Sequence, residues 1–219
     1  ETGSEGTEAI LNPATEEVIG HAPVGGLADA ELAVAAARRA FDKGPWPWLG
    51  VTERADYMRR MHASLVARRE QIAALIVAEV GCSQMVTQAM QVDMPLGHVL
   101  QAIDRSLLAE ARQIPVEAVP NQMNPAGPMI LGSGSIEREP VGVVSGITGY
   151  NFPFLLNLAK VFPALLAGNT LILKPSPYTP YSALLFGEIA EEIGLPAGVL
   201  NVVTGDAEVG RLLSSDAQV

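Results

Sequence analysis

The sequence predicts an α/β fold, a run of helices followed by a parallel sheet, on three observations. Strand-like and helical stretches alternate from Arg138 onward, the residues before about position 113 carry apolar side chains at helical spacing, and a segment dense in proline and glycine separates the two. Repeated strand–helix–strand order implies parallel pairing through right-handed crossovers. In such sheets ligands bind beyond the carboxyl ends of the strands. At 219 residues, 48% hydrophobic and 17% charged, the chain can enclose a substantial core.

The elements follow in order. From Ala28 to Phe41 acidic residues lead and arginines trail, as the helix dipole prefers, and Leu32, Ala36 and Phe41 fall near one face. GPWPW at Gly44 to Trp48 interrupts this helix, and a second one is expected from about Thr52, as its cap, to Val80, with Gly81 as its stop. A third helical run spans about Ser83 to Arg112, kinked or divided at Pro95 and Gly97. Ile114 to Glu139 holds Pro115, Pro120, Pro125, Pro128, Gly127, Gly132 and Gly134 between short apolar pieces, which suits an extended hairpin or arm. The stretch Arg138 to Ile147 then leads into a helix from about Phe152 to Ala167 and a strand from Asn169 to Pro175. A helix from Pro180 to Ile193 and a strand from Val199 to Gly205 follow.

Composition narrows the function. Fourteen Lys and Arg against 24 Asp and Glu give a net charge of -10, which opposes capture of nucleic acid or of an anionic membrane surface. A single cysteine, Cys82, allows no internal disulfide, and with His21, His62 and His98 it makes no metal cluster, so no metal is expected and a reducing, cytoplasmic setting fits. The opening residues read as neither a signal peptide nor a membrane anchor, and the apolar runs are too short to span a bilayer.

Polar residues cluster where the strands end: Ile147 to Asn151, Lys174 to Ser176, and Thr204 to Asp206. Three such loops side by side would bring an amide, an ammonium and hydroxyls into one pocket, able to bind ribose or phosphate oxygens and to donate hydrogen bonds to a developing oxyanion. Two plainer readings stand beside this one. Asn151 precedes a helix and suits a cap, and a lysine at a strand terminus is often solvated surface.

The stretch EPVGVVSGITGYNFPFLLNLAKVFPALLAGNTLILKPSPYTP from Glu139, followed by GLPAGVLNVVTGD ending at Asp206, resembles the signature of the NAD(P)-dependent aldehyde dehydrogenase superfamily. NPATEEVIG at Asn12 to Gly20, the AVAAARRAF helix and EVGCS at Glu79 to Ser83 resemble that family's N-terminal landmarks in order and spacing. The resemblance implies an aldehyde-dehydrogenase-like fold with a Rossmann-type sheet, organised as an N-terminal helical part (1–113), an oligomerisation hairpin (114–139) and the first βαβ part of the cofactor domain (140–219). The catalytic domain would lie outside this segment, and the hairpin would pair subunits into a homodimer or homotetramer.

The resemblance also implies roles. Asn151 would donate its amide to the oxyanion formed when a cysteine attacks the aldehyde, and Lys160 would assist electrostatically. Ile147, Thr148, Gly149 and Tyr150 would line the nicotinamide pocket, with Gly149-Tyr150 in place of the family's usual Pro-Trp. Lys174 would hold the adenosine ribose, in a loop with Ser176 and Pro177. Many relatives carry at the Pro177 position a glutamate that repels a 2′-phosphate, so either NAD or NADP is expected as cofactor. Gly210, with Asp206, would approach the adenine, and Phe152, Leu155, Leu156 and Ala159 would line an apolar substrate tunnel. The implied activity is oxidation of a small-molecule aldehyde to a carboxylic acid through a cysteine thiohemiacetal and thioester. The nucleophilic cysteine and general-base glutamate would come from later segments, Cys82 being a packing residue. Two other readings remain open: a short non-catalytic protein that binds a nucleotide or a partner, and an acyl-reducing relative of the same fold.

Overall fold

The computed structural model describes residues 3–108 and 112–219. Its centre is a parallel sheet in the order β5 (Val143–Ile147), β6 (Thr170–Lys174), β7 (Leu200–Val202). Every residue of β6 is buried, because helices cover both faces of this central strand. Its side chains divide with the two-residue period of a strand. Leu171 and Leu173 join the core built by α2 (Val51–Ala67), α3 (Arg69–Val80), α5 (Met94–Leu107), α6 (Pro153–Leu166) and α7 (Tyr181–Glu192). Ile172 joins the opposite core with Val143, formed by α1 (Leu27–Lys43) and α8 (Ala207–Ser215).

Polar side chains fix the layers where backbone groups would otherwise be orphaned. Asn169 Oδ1 accepts from Val141 N at 2.7 Å and Gly142 N at 3.1 Å, tying the entry of β6 to that of β5. Thr170 Oγ1 donates to Ala37 O of α1 at 3.1 Å, and Arg54 Nε of α2 donates to Leu166 O at the end of α6 at 3.0 Å. Gly81 closes α3 at φ +70°, the left-handed conformation that ends helices.

The structure departs from the sequence expectations in several places. A β-hairpin, β1 (Thr7–Leu11) and β2 (Val18–Pro23), opens the described chain; nine of its 11 residues are incompletely buried, so it has little apolar alternation to betray it. The expected Thr52–Val80 helix is two helices that break at Arg68, and the cap of the first is Gly50, beside Glu53 Oε2, which accepts from Gly50 N at 2.9 Å; Thr52 lies inside the helix. Along α1 the buried stripe is Ala30, Ala33, Val34, Ala37 and Ala40, whereas Leu32 is exposed, because small residues let this helix sit close on the sheet. The third helical run is α4 (Gln84–Val86), a π segment Thr87–Asp93 and α5. The irregularity falls ahead of Pro95, which occupies the first turn of α5 where a missing N–H costs nothing.

The proline- and glycine-rich stretch forms an antiparallel hairpin, β3 (Arg112–Val119) with β4 (Ile130–Ile136). Its register slips between Ile114 and Glu117, where Pro115 removes a ladder donor and leaves one extra residue on β3. All 15 residues of the two strands are exposed.

Candidate active site

The carboxyl ends of β5 and β6 are level, Ile147 standing opposite Lys174 in the parallel register. Beyond that line Thr148 N donates to Lys174 O at 3.0 Å, extending the pairing by one residue and holding the two loops side by side. The first two of the three strand-end loops expected to converge are therefore adjacent, and the third approaches through Asp206 and Gly210, which lie beside Lys174. Thr204 and Asp206 follow β7, but the Thr204 hydroxyl donates to Pro23 O at 2.6 Å and accepts from Gly25 N at 3.2 Å. Within the third loop the Thr204 hydroxyl is thus held by the N-terminal hairpin. Gly205, at φ +131°, lies so close to that hairpin that a Cβ there would stand 2.5 Å from Gly25 O. Asp206 caps α8, its Oδ1 accepting from Glu208 N at 2.7 Å.

Lys174 is the most unusual member of the site. It is 4% exposed, and among the described residues its Nζ has one hydrogen bond, donated to Pro175 O at 3.0 Å. An ammonium carries three N–H donors, so two are left for other acceptors. Burial pulls its pKa below the ordinary lysine value, and the Asp206 carboxylate partly restores it. Gly210 of α8 faces the lysine stem: a Cβ there would meet Lys174 Cε at 3.8 Å and Cδ at 3.9 Å. Ser176 is nearly buried, its Oγ accepting from Tyr178 N at 3.3 Å and retaining its own proton, while Pro177 is exposed.

Along the neighbouring loop Ile147, Gly149, Tyr150 and Asn151 are exposed and Thr148 is buried. The cap of α6 is Phe152, with no side-chain bond, so capping does not occupy Asn151. Among the described residues the Asn151 side-chain amide has no hydrogen-bond partner; the Asn151 main-chain carbonyl accepts a long 3.5 Å bond from Gln91 Nε2. Phe152, Leu155, Leu156 and Ala159 fall on the incompletely buried side of α6, opposite the buried Phe154, Leu158, Val161 and Phe162. Lys160 is exposed, and its stem lies over β5, where a Cβ on Gly146 would meet Lys160 Cβ at 3.2 Å. Tyr150 and Tyr178, one from each loop, meet edge to face with centroids 6.3 Å apart.

Three residues around this site were not anticipated. Gln91 reaches the Asn151 carbonyl from the π segment, a helical irregularity that often marks functional regions. Asn157 is fully buried on α6 between Thr148 and Ser182. Glu79 ends α3 beneath the first turn of α7, where its Oε2 accepts from Tyr181 N at 3.1 Å and its Oε1 is buried without a partner. Burial pushes its carboxyl up to about 7, against the pull of the Tyr181 and Ser182 amides. A buried asparagine in an apolar helix run was the one available signal.

The arrangement thus offers an uncommitted amide and a buried, under-coordinated ammonium at adjoining strand ends. The family model for aldehyde dehydrogenases matches residues 1–219. The chain belongs to the aldehyde dehydrogenase family. Lactaldehyde dehydrogenase of Escherichia coli (strain K12) is 39% identical over 212 residues, covering 96% of this chain and 41% of that protein. The 3,6-anhydro-alpha-L-galactose dehydrogenase of Vibrio sp. (strain EJY3) is 37% identical over 209 residues, again 41% of its length. Among solved structures, a mutant aldehyde dehydrogenase of Pseudomonas syringae in complex with NAD+ and octanal matches with a TM-score of 0.85 at 37% identity. That match covers 100% of this chain and 41% of the other. The chain therefore spans about two fifths of the length of these aldehyde dehydrogenases. Among the described residues no helix is long and apolar enough to cross a membrane.

Proposed function

We propose that the complete protein containing this chain oxidises an aldehyde to a carboxylic acid with NAD or NADP as acceptor, and that this segment supplies the cofactor-binding and oxyanion-stabilising residues. One observation carries the reading: the buried Lys174 ammonium, with a single protein acceptor, at the strand end level with Ile147. Its remaining donors suit ribose hydroxyls, and the neighbouring Gly210 leaves the lysine stem uncrowded. A bound nicotinamide dinucleotide supplies the hydride acceptor, so that aldehyde, water and oxidised cofactor give acid, reduced cofactor and a proton. NAD+ in the solved relatives supports that cofactor, while the exposed Pro177 places no negative charge where it would repel a 2′-phosphate.

The chain's own residues divide the work. Asn151 offers a side-chain amide, without a partner among the described residues, to the oxygen that becomes negatively charged as the aldehyde is attacked. Lys160 adds positive charge from the next turns of α6, and Phe152, Leu155, Leu156 and Ala159 give the aldehyde an apolar approach. The octanal of the Pseudomonas syringae complex is an aldehyde of matching apolar character. In the complete protein, Asn151→Ala is expected to lower turnover by about a hundredfold while dinucleotide binding persists. Near-normal turnover, followed by nicotinamide absorbance, would remove Asn151 from the mechanism.

The exposed hairpin supports a second part of the proposal: a homodimer or homotetramer assembled through β3 and β4. An isolated two-stranded hairpin is marginal in water, and this one shows Ile114, Val116 and Leu131 to solvent. The single cysteine, Cys82, unpaired among the described residues, suits a reducing, cytoplasmic setting.

A further inference from the structure

A chain of buried polar contacts runs behind the site. Thr148 Oγ1 donates to Asn157 Oδ1 at 2.8 Å, and Asn157 Nδ2 donates to Ser182 Oγ at 3.2 Å. Three elements are joined by side chains in this way, the loop after β5, α6 and α7, and one residue earlier on α7 the Tyr181 N–H donates to Glu79 Oε2 of α3 at 3.1 Å. Thr148 is 7% exposed, and Asn157 and Ser182 are both at 0%.

An amide in this position needs a reason. It interrupts the buried face formed by Phe154, Leu158, Val161 and Phe162, and a buried amide without partners would destabilise the fold. Both ends of the Asn157 amide are used, and one of them is spent on the loop that lines the candidate site. The loop's other contacts among the described residues are fewer: Tyr150 packs edge to face on Tyr178, and the Asn151 main-chain carbonyl accepts a long bond from Gln91, while Gly149 brings backbone freedom immediately after Thr148. Thr148 is pinned on two sides, its N–H by the Lys174 carbonyl and its hydroxyl by Asn157.

We propose that Asn157 is the positioning residue of the dinucleotide site: it fixes the loop 147–151 through the Thr148 hydroxyl, with Ser182 setting which way its amide faces. It touches neither cofactor nor aldehyde and acts through Thr148. The inference rests on the proposed dehydrogenase reading, since it assigns that loop to cofactor binding.

The test is calorimetric titration of the complete protein with NAD and with NADP, alongside thermal melting. Thr148→Val and Asn157→Leu, each close to isosteric, are expected to weaken binding of the preferred dinucleotide by about tenfold, the scale of one lost hydrogen bond. Thr148→Ser, which restores the hydroxyl, should recover most of the affinity lost in Thr148→Val. The double variant separates positioning from stability. With both polar groups gone only the Ser182 hydroxyl loses a partner, so its melting temperature should rise above that of Asn157→Leu, which orphans the Thr148 hydroxyl as well, while its affinity stays at the single-variant level. Single variants that bind within twofold of wild type, or a double variant whose loss equals the product of the two single losses, would overturn the assignment of Asn157 and leave the dehydrogenase reading standing. Failure of the wild-type protein to bind either dinucleotide would take down both. Should Asn157→Leu not fold, Thr148→Val and Thr148→Ser decide the question alone.

Discussion

Strands β6 and β3 place their residues against ordinary preference in opposite directions. The central strand β6 hides a lysine, Lys174 at 4% exposure, while the arm strand β3 leaves a valine, Val116 at 67%, in water. Residue type explains neither. β6 is covered on both faces by helices, whereas the arm hairpin has none of its residues buried. The contrast teaches that burial follows the covering layers rather than residue type. A buried cation with spare donors suits a small ligand rich in hydroxyls, and bare β-branched side chains on a strand edge suit protein.

The sharpest way to break this comparison is to truncate one apolar residue on each strand. Leu171→Ala, at the fully buried end of β6, should cost about 2–5 kcal/mol in denaturant unfolding. Val116→Ala should change the stability of the dissociated subunit by no more than about 0.5 kcal/mol. Equal losses would mean that the arm is packed as tightly as the sheet, and its reading as an unpartnered surface would fail. Removing Gln122 to Gly132, the tip of the arm with the start of β4, tests the same point through assembly. Light scattering should then show a smaller species with its far-ultraviolet circular dichroism largely kept, and an unchanged oligomer would count against pairing through the hairpin.

A pH-dependent effect concerns Glu79, which lies on the covered side of the comparison. Its folded-state pKa, raised by burial to about 7 from an ordinary 4.5, means that protonation favours the folded state. The stabilisation is complete below about pH 4.5 and is lost as the pH rises through 7. Melting temperatures measured at pH 5.5 and pH 8 should therefore fall more for the wild type than for Glu79→Gln. Parallel curves would show that the carboxyl ionises as freely in the folded chain as in the unfolded one.

Most of the sheet was legible in the sequence. The alternation after Arg138 located β5, α6, β6, α7 and β7 to within a few residues, because strands covered on both faces read as short apolar runs between helices. The loop residues Ile147 to Asn151 and Lys174 to Pro177 stood out where those runs stopped. What the sequence concealed depends on contacts between distant residues. Leu32 carries the right periodicity and still faces solvent, since the alanines beside it make the closer contact with the sheet. The Thr204 hydroxyl has the right chemistry for a ligand and is taken by Pro23 and Gly25. Asn157 and Glu79 gain their partners only when α3, α6 and α7 meet, and no spacing along the chain announces that meeting.

The clasp at Thr204 has a consequence for how the chain comes together during synthesis. Its hydroxyl links residues 179 and 181 positions apart, so the end of the opening hairpin gains this contact only after nearly all of the segment has been made. Contacts of such long separation are slow to close. The clasp is therefore among the last contacts to form, after β5 and β6 can already pair, and it ties the hairpin to the sheet at the point where the segment's long-range contacts close.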